Sequence, residues 1–255
     1  MKWETIVLKK PTIHEPILLE GLPGIGNVGK IVMDYLIEKT KAEKILSFYS
    51  HALPNSVFIT QNNLVELPKL ELYHVIIKRQ HFLLLTGDVQ PSNEEASYSF
   101  CEEVVSLLLR YKTKYVVTFG GIGLNEIPEK PIVYITGTSK KIIDSFQDVS
   151  VEKKIYGVVG PIMGISGLLL GISQKHQLPA ASLLAETFGH PIYLGLKGAR
   201  EIIMVLNKHY HFDISLDDLE KEIKAMDAQL KDNSKQKKPT KFEQKYQHRQ
   251  VNYIG

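Results

Sequence analysis

Within the segment Leu18-Leu-Glu-Gly-Leu-Pro-Gly-Ile-Gly-Asn-Val-Gly29, the stretch Gly24-Ile-Gly-Asn-Val-Gly29 has the G-x-G-x-x-G spacing. Between a strand and a helix, such glycines admit a pyrophosphate to the backbone N–H groups of the helix amino terminus. Dinucleotide sites add an acidic residue about 20 positions later to hold a ribose hydroxyl. Tyr49, Ser50 and His51 stand there instead, and none is acidic. A tight strand-to-helix turn with close backbone packing therefore explains the glycines better. Gly24, Gly26 and Gly29 remain a candidate ligand loop together with Asp88. That aspartate, in Leu85-Thr-Gly-Asp-Val-Gln-Pro91, follows an apolar run, a place where α/β proteins put functional groups. Gly-Asp ahead of a proline is also ordinary turn chemistry, which is the preferred reading.

Other reactive patterns fail on spacing. Gly164-Ile-Ser-Gly-Leu168 carries leucine where a G-x-S-x-G nucleophile elbow needs its last glycine. Cys101 is the only cysteine, so the chain has no internal disulfide and no paired-cysteine zinc site. It falls in an expected helix and reads as a small core residue. Of the nine histidines only His209-Tyr-His211 approaches ligand spacing, with no third ligand near it in sequence. The expectation is no catalytic residue, no metal and no cofactor.

The elements that must position these residues follow from apolar periodicity. Short strands are expected at Thr5–Leu8, Pro16–Glu20, Lys44–Tyr49, Tyr115–Phe119, Ile132–Thr136, Tyr156–Val159 and Ala180–Leu184. Leu70–Lys78 and Phe82–Thr86 form a hairpin around Arg79-Gln-His81. Helices are expected at Val28–Lys39 and, after a Ser92-Asn-Glu-Glu95 capping box, to about Tyr111. The uncharged run Gly157–Gln174 is too short and too interrupted by glycine to span a membrane and reads as strand, turn and buried helix. Strands alternating with helices imply an α/β fold: one three-layer domain whose mixed, largely parallel sheet is covered by helices.

At 255 residues the chain is long enough for one full core, and its 44% hydrophobic and 23% charged content is ordinary for a globular protein. The first residues lack a signal-peptide core, and with one cysteine this points to the cytosol. Late in the chain, Ser215 reads as an N-cap, and Leu216, Leu219, Ile223, Met226 and Leu230 form a narrow apolar seam. The seam suits packing on the same subunit or on a partner helix. The domain is placed at 1–231 and a flexible tail at 232–255. From Lys231 onward, seven basic residues face Asp232 and Glu243, a net of +5 in a chain of +3. Solubility explains that charge more simply than nucleic acid, because a solvated charge run is the common case. The tip, Val251-Asn-Tyr-Ile-Gly255, turns apolar again, a composition suited to capture by a pocket.

Five strings, Leu18–Gly29, Ser50-His-Ala-Leu-Pro54, Leu85–Pro91, Gly160-Pro-Ile-Met-Gly-Ile-Ser-Gly167 and Leu183-Leu-Ala-Glu-Thr-Phe-Gly189, together resemble the archaeal proteasome assembly chaperone family over about residues 16–230. The resemblance implies an α/β fold similar to nucleoside phosphorylases, a homo-oligomer, and binding to proteasome α subunits or the core particle without ATP hydrolysis. It also implies tail docking: several relatives end in a hydrophobic-tyrosine-any tripeptide that seats between α subunits. Here Tyr253 is third from the end and Ile254 takes the tyrosine's place, so Val251, Tyr253, Ile254 and the Gly255 carboxylate are the expected docking residues in a shifted register. The rival implied by the same resemblance is an enzyme of ATP-dependent ligase or phosphorylase type, with nucleotide or phosphate at Gly24–Gly29 or Asp88.

Overall fold

The computed structural model describes residues 3–60 and 62–235. In chain order the elements are β1 (Glu4–Val7), β2 (Ile17–Glu20), α1 (Val28–Thr40), β3 (Glu43–Tyr49), β4 (Phe58–Ile59), β5 (Val65–Glu66), β6 (Leu70–Ile77), β7 (Gln80–Gly87), α2 (Glu94–Arg110), β8 (Tyr115–Leu124), β9 (Val133–Gly137), α3 (Lys140–Asp144), α4 (Gly164–Lys175), β10 (Ala180–Phe188), α5 (Leu196–Tyr210) and α6 (Asp217–Lys235). One compact unit runs to Ile214, and α6 belongs to a second that begins at Ser215.

The first unit is built on an eight-stranded sheet in the order β1-β3-β6-β7-β2-β8-β10-β9. Its central strands β7, β2, β8 and β10 run parallel, and the flanking pairs are antiparallel. The expected mixed sheet covered by helices is what forms, with parallel pairing held to the centre. Every residue of β2 is buried, as a strand covered on both faces requires. Side chains alternate across a sheet. Leu18, Val116 and Ala180, register neighbours on β2, β8 and β10, belong to the core that includes Phe100, Val104 and Leu108 of α2 and Ile165, Leu169 and Ile172 of α4. The alternate residues Leu19, Val117 and Ala181 are equally buried and point to the other face, where α1 and α5 pack on each other and on β8 and β10.

Several expected boundaries shift for identifiable reasons. The cap of α2 is Asn93, one residue later than the expected serine; its side chain accepts from the Ala96 N–H at 2.9 Å, while Ser92 N–H donates to Ala52 O. Tyr156–Val159 is no sheet strand. Gly157, at φ +84°, turns the chain back so that Val158 N–H donates to Ile155 O, and Tyr156 stands fully exposed. β8 and β10 instead run longer than expected, paired in register to Leu124 and Phe188 through glycines that look like breakers in the sequence. The ribbon of β4 and β5 was not anticipated. In the second unit, Ser215 lies just ahead of α6 and accepts from Asp217 N–H at 3.2 Å; the helix carries Leu219, Ile223, Met226 and Leu230, with Leu216 preceding its first residue.

Backbone contact fixes the junction of β2, α1 and β8. A Cβ on Gly21 would lie 2.2 Å from the Gly29 carbonyl oxygen, and one on Gly29 would lie 2.5 Å from the Phe119 oxygen. Neither obstacle is a side chain that can swing away. Gly21→Ala and Gly29→Ala should each lower stability by about 3 kcal/mol in urea denaturation, the upper end for overpacking. Gly171→Ala, in the interior of α4 with open space around it, should raise stability by up to about 1 kcal/mol.

Candidate functional site

The parallel strands β2 and β8 lie side by side, but the chain leaves them in opposite directions, from β2 through α1 to β3 and from β8 toward β9 and β10. A crevice at the carboxyl ends of such strands is where open α/β sheets bind ligands. Here it is a cavity of about 480 Å³. Four of the five strings that carry the family resemblance meet in its walls. The first contributes Leu22, Gly24, Ile25 and Gly29, the third Gln90, the fourth Gly160 to Gly164 and Ser166, and the fifth Leu184. The rest comes from β8, Phe119 to Gly123, and from Val158 and Val159. The remaining string, around Ser50 and Pro54, lines a separate hollow.

Gln90 holds two of these walls together. Its Nε2 donates to Pro23 O at 2.6 Å and its Oε1 accepts from Ile165 N–H at 3.0 Å, tying the glycine turn after β2 to the first turn of α4. Gly164 enters that helix at φ +76°, and a Cβ there would lie 2.4 Å from Gln90 Oε1, so both backbone and space demand glycine.

No lining residue is charged, and Gln90 and Ser166 are the only lining residues with polar side chains. Directly behind Ser166 lies Glu20, wholly buried at the end of β2. Ser166 Oγ is 3.2 Å from Glu20 Oε1 and 3.5 Å from Phe119 O, and Glu20 Oε2 has no hydrogen-bond partner among the described residues. Burial pushes the carboxyl pKa up to about 8, and the Ser166 hydroxyl and the nearby Leu22 N–H offset this only in part. Glu20 is therefore a neutral acid at pH 7, able to donate. Across the sheet its register neighbour is Thr118, whose Oγ1 donates to Ser182 Oγ at 3.0 Å, so a polar row crosses β2, β8 and β10 beneath α4. Sequence reasoning missed Glu20. The available signal was a carboxylate closing the apolar run Ile17-Leu-Leu.

The residues singled out in the sequence are dispersed. Gly24 and Gly29 line the cavity, whereas Gly26, at φ +60°, packs on Thr187, whose Oγ1 would meet a Cβ at 2.7 Å. Asp88 lies outside the cavity lining; it is exposed, and its Oδ2 accepts from Lys69 N–H at 3.0 Å while its own N–H donates to Lys69 O. It is a turn residue joining the end of β7 to the start of β6. Cys101 is buried in α2, and burial first, then the nearby Glu20 and Glu102, push its thiol pKa up, so the reactive thiolate is suppressed. His209 stacks on Phe146 at 4.0 Å, and burial lowers its pKa. Among the described residues no three His, Cys, Asp or Glu side chains are grouped to hold a metal ion, and no helix is long and apolar enough to cross a membrane. Val251, Tyr253, Ile254 and Gly255 lie outside the described residues.

Glu20 makes stability depend on pH with a definite sign. Its folded pKa, about 8, exceeds its ordinary 4.5, so between those values the folded chain retains a proton that the unfolded chain has lost. Stability from this group is full below pH 4.5 and falls by about 1.4 kcal/mol per pH unit until pH 8. Glu20→Gln removes that dependence. In urea denaturation it should match the parent near pH 5 and exceed it by on the order of 4 kcal/mol at pH 9.

Comparison with known proteins agrees with this architecture. The model of the PAC2 family matches residues 18–233. The uncharacterized protein MJ1210 of Methanocaldococcus jannaschii is 28% identical over 226 residues, 87% of this chain and 86% of that protein. Pyrococcus furiosus PbaB, described as an archaeal proteasome activator, superposes with a TM-score of 0.84 at 29% identity, covering 91% of this chain and 98% of that one. Pyrococcus furiosus PbaA, described as an archaeal homolog of proteasome-assembly chaperone, gives a TM-score of 0.75 at 23% identity over 99% of both chains and shares the fold. The family match takes in the glycine turn, the cavity walls and α6 alike, and the chain belongs to the PAC2 family.

Proposed function

We propose that this chain is a non-catalytic, ATP-independent chaperone of the proteasome system. It acts in the cytosol as a homo-oligomer and binds proteasome α subunits or the assembled core particle. The observation that carries this reading is the likeness to PbaB, a protein described as an archaeal proteasome activator, at 29% identity over 91% of this chain. The strand-end cavity supports it from the chemical side. Its one buried acid has no second titratable group in the lining with which to share a proton, and nothing in the lining carries the positive charge that a nucleotide or phosphate would need. A phosphate placed there would lose its water without gaining a cation, an unfavourable exchange. The rival reading as a ligase or phosphorylase is therefore disfavoured at this cavity.

In this reading the apolar tip Val251, Tyr253, Ile254 and the Gly255 carboxylate docks between adjacent α subunits, and the basic residues between Lys231 and Arg249 serve as its tether. In the seam, Leu219 and Ile223 are buried within the chain itself, and Leu216, Met226 and Leu230 supply an oligomer or partner contact. Native mass spectrometry tests the reading: the full chain mixed with α subunits, and separately with the core particle, should form a complex with at least one of them at micromolar concentration. Deleting residues 251–255 should weaken that complex tenfold or more, about 1.4 kcal/mol. Unchanged affinity would remove the tip from the interface, and no complex with either target would overturn the reading.

A further inference from the structure

The cavity at the carboxyl ends of β2 and β8 has no part in the function proposed above. We propose that it is a binding site for a small uncharged molecule, which presents a hydrogen-bond-donating N–H to Ser166 and an apolar body to Leu22, Phe119, Ile122 and Leu184. The inference is independent of the proteasome reading. Four observations carry it together.

The volume, about 480 Å³, lies within the range of small-molecule sites. The lining is apolar side chain and backbone, with two polar side chains, one of which, Gln90, is already engaged at both ends. An ion of either sign would find no opposite charge there, so the ligand must be neutral. Ser166 is the remaining polar group, and what stands behind it sets its role. The Ser166 hydroxyl donates to Glu20 Oε1 at 3.2 Å, which fixes the proton toward the sheet and leaves the Oγ lone pairs to accept from a ligand. The competing acceptor, Phe119 O, is at 3.5 Å, the limit of a hydrogen bond. At the mouth, Ile25, Val158 and Met163 are exposed apolar side chains that can cover an apolar ligand.

The test is a titration of the full chain followed by backbone amide NMR. Benzamide and nicotinamide are the uncharged probes; benzoate, the charged counterpart of benzamide, and inorganic phosphate are the controls. The amides should produce saturable shifts at Gly120–Gly123 and Gly160–Ser166, and benzoate and phosphate should bind at least tenfold more weakly. Gly160→Leu, whose Cβ has open space around it, should fill the cavity and abolish the shifts in a folded protein. Ser166→Ala should weaken amide binding about tenfold, as loss of one hydrogen bond from a dry site does. Benzoate or phosphate matching the amides would overturn the proposal in favour of an anion site. Absence of saturable shifts at these residues, or shifts that survive Gly160→Leu, would overturn it outright.

Discussion

The structure depends on a three-way approach of backbone to backbone. Gly21, at the end of β2, lies against Gly29 in the first turn of α1, and Gly29 lies against the Phe119 carbonyl on β8. Neither contact leaves room for a methyl group. Because the helix enters this close, the glycine turn folds over the strand ends, Gln90 can reach from Pro23 to Ile165, and α4 is brought down onto the sheet with Ser166 facing Glu20. Hydrophobic burial on the two faces supplies the bulk of the stability. The glycine contacts decide where the layers sit relative to the strand ends, and so whether a cavity exists there.

Sealing those strand ends has an electrostatic consequence. A carboxylate in such a place loses hydration that one serine and a nearby N–H do not restore, so the group remains neutral. A neutral acid behind an uncharged cleft differs in kind from a carboxylate beside a phosphate loop. The same geometry that excludes ionic ligands leaves one serine oxygen at the cleft floor, and the fold's strand-end crevice persists in a protein whose proposed work lies in its surface and tail.

Much of the architecture was legible in the sequence because period and punctuation act locally. The apolar run before Gly21, the helix from Val28 and the hairpin expected around Arg79-Gln-His81, which turns at Lys78 and Arg79, all fell close to where they form. Gly26 and Gly29 make the close approaches that a packing role requires, whereas a Cβ on Gly24 would meet nothing within 4 Å. What failed had tertiary causes. Gly120, Gly121 and Gly123 look like the end of a strand, yet β8 continues through them paired with β10, and glycine is needed at 121 because a Cβ there would strike the Ile25 carbonyl oxygen at 2.3 Å. Tyr156–Val159 has strand composition but turns at Gly157, where positive φ outweighs side-chain propensity. Glu20 passed unnoticed because its significance comes from α4, 146 residues away, which no local pattern reports.

The central claim, that Glu20 is held neutral beneath the cleft, is measured most directly by following its side-chain carboxyl 13C shift with pH in the folded protein. The account predicts a carboxyl that is protonated at pH 6 and titrates with a midpoint about 8. A midpoint near the ordinary value of 4.5 would mean that water or an unseen partner stabilises the charge, and the neutral cleft would be contradicted.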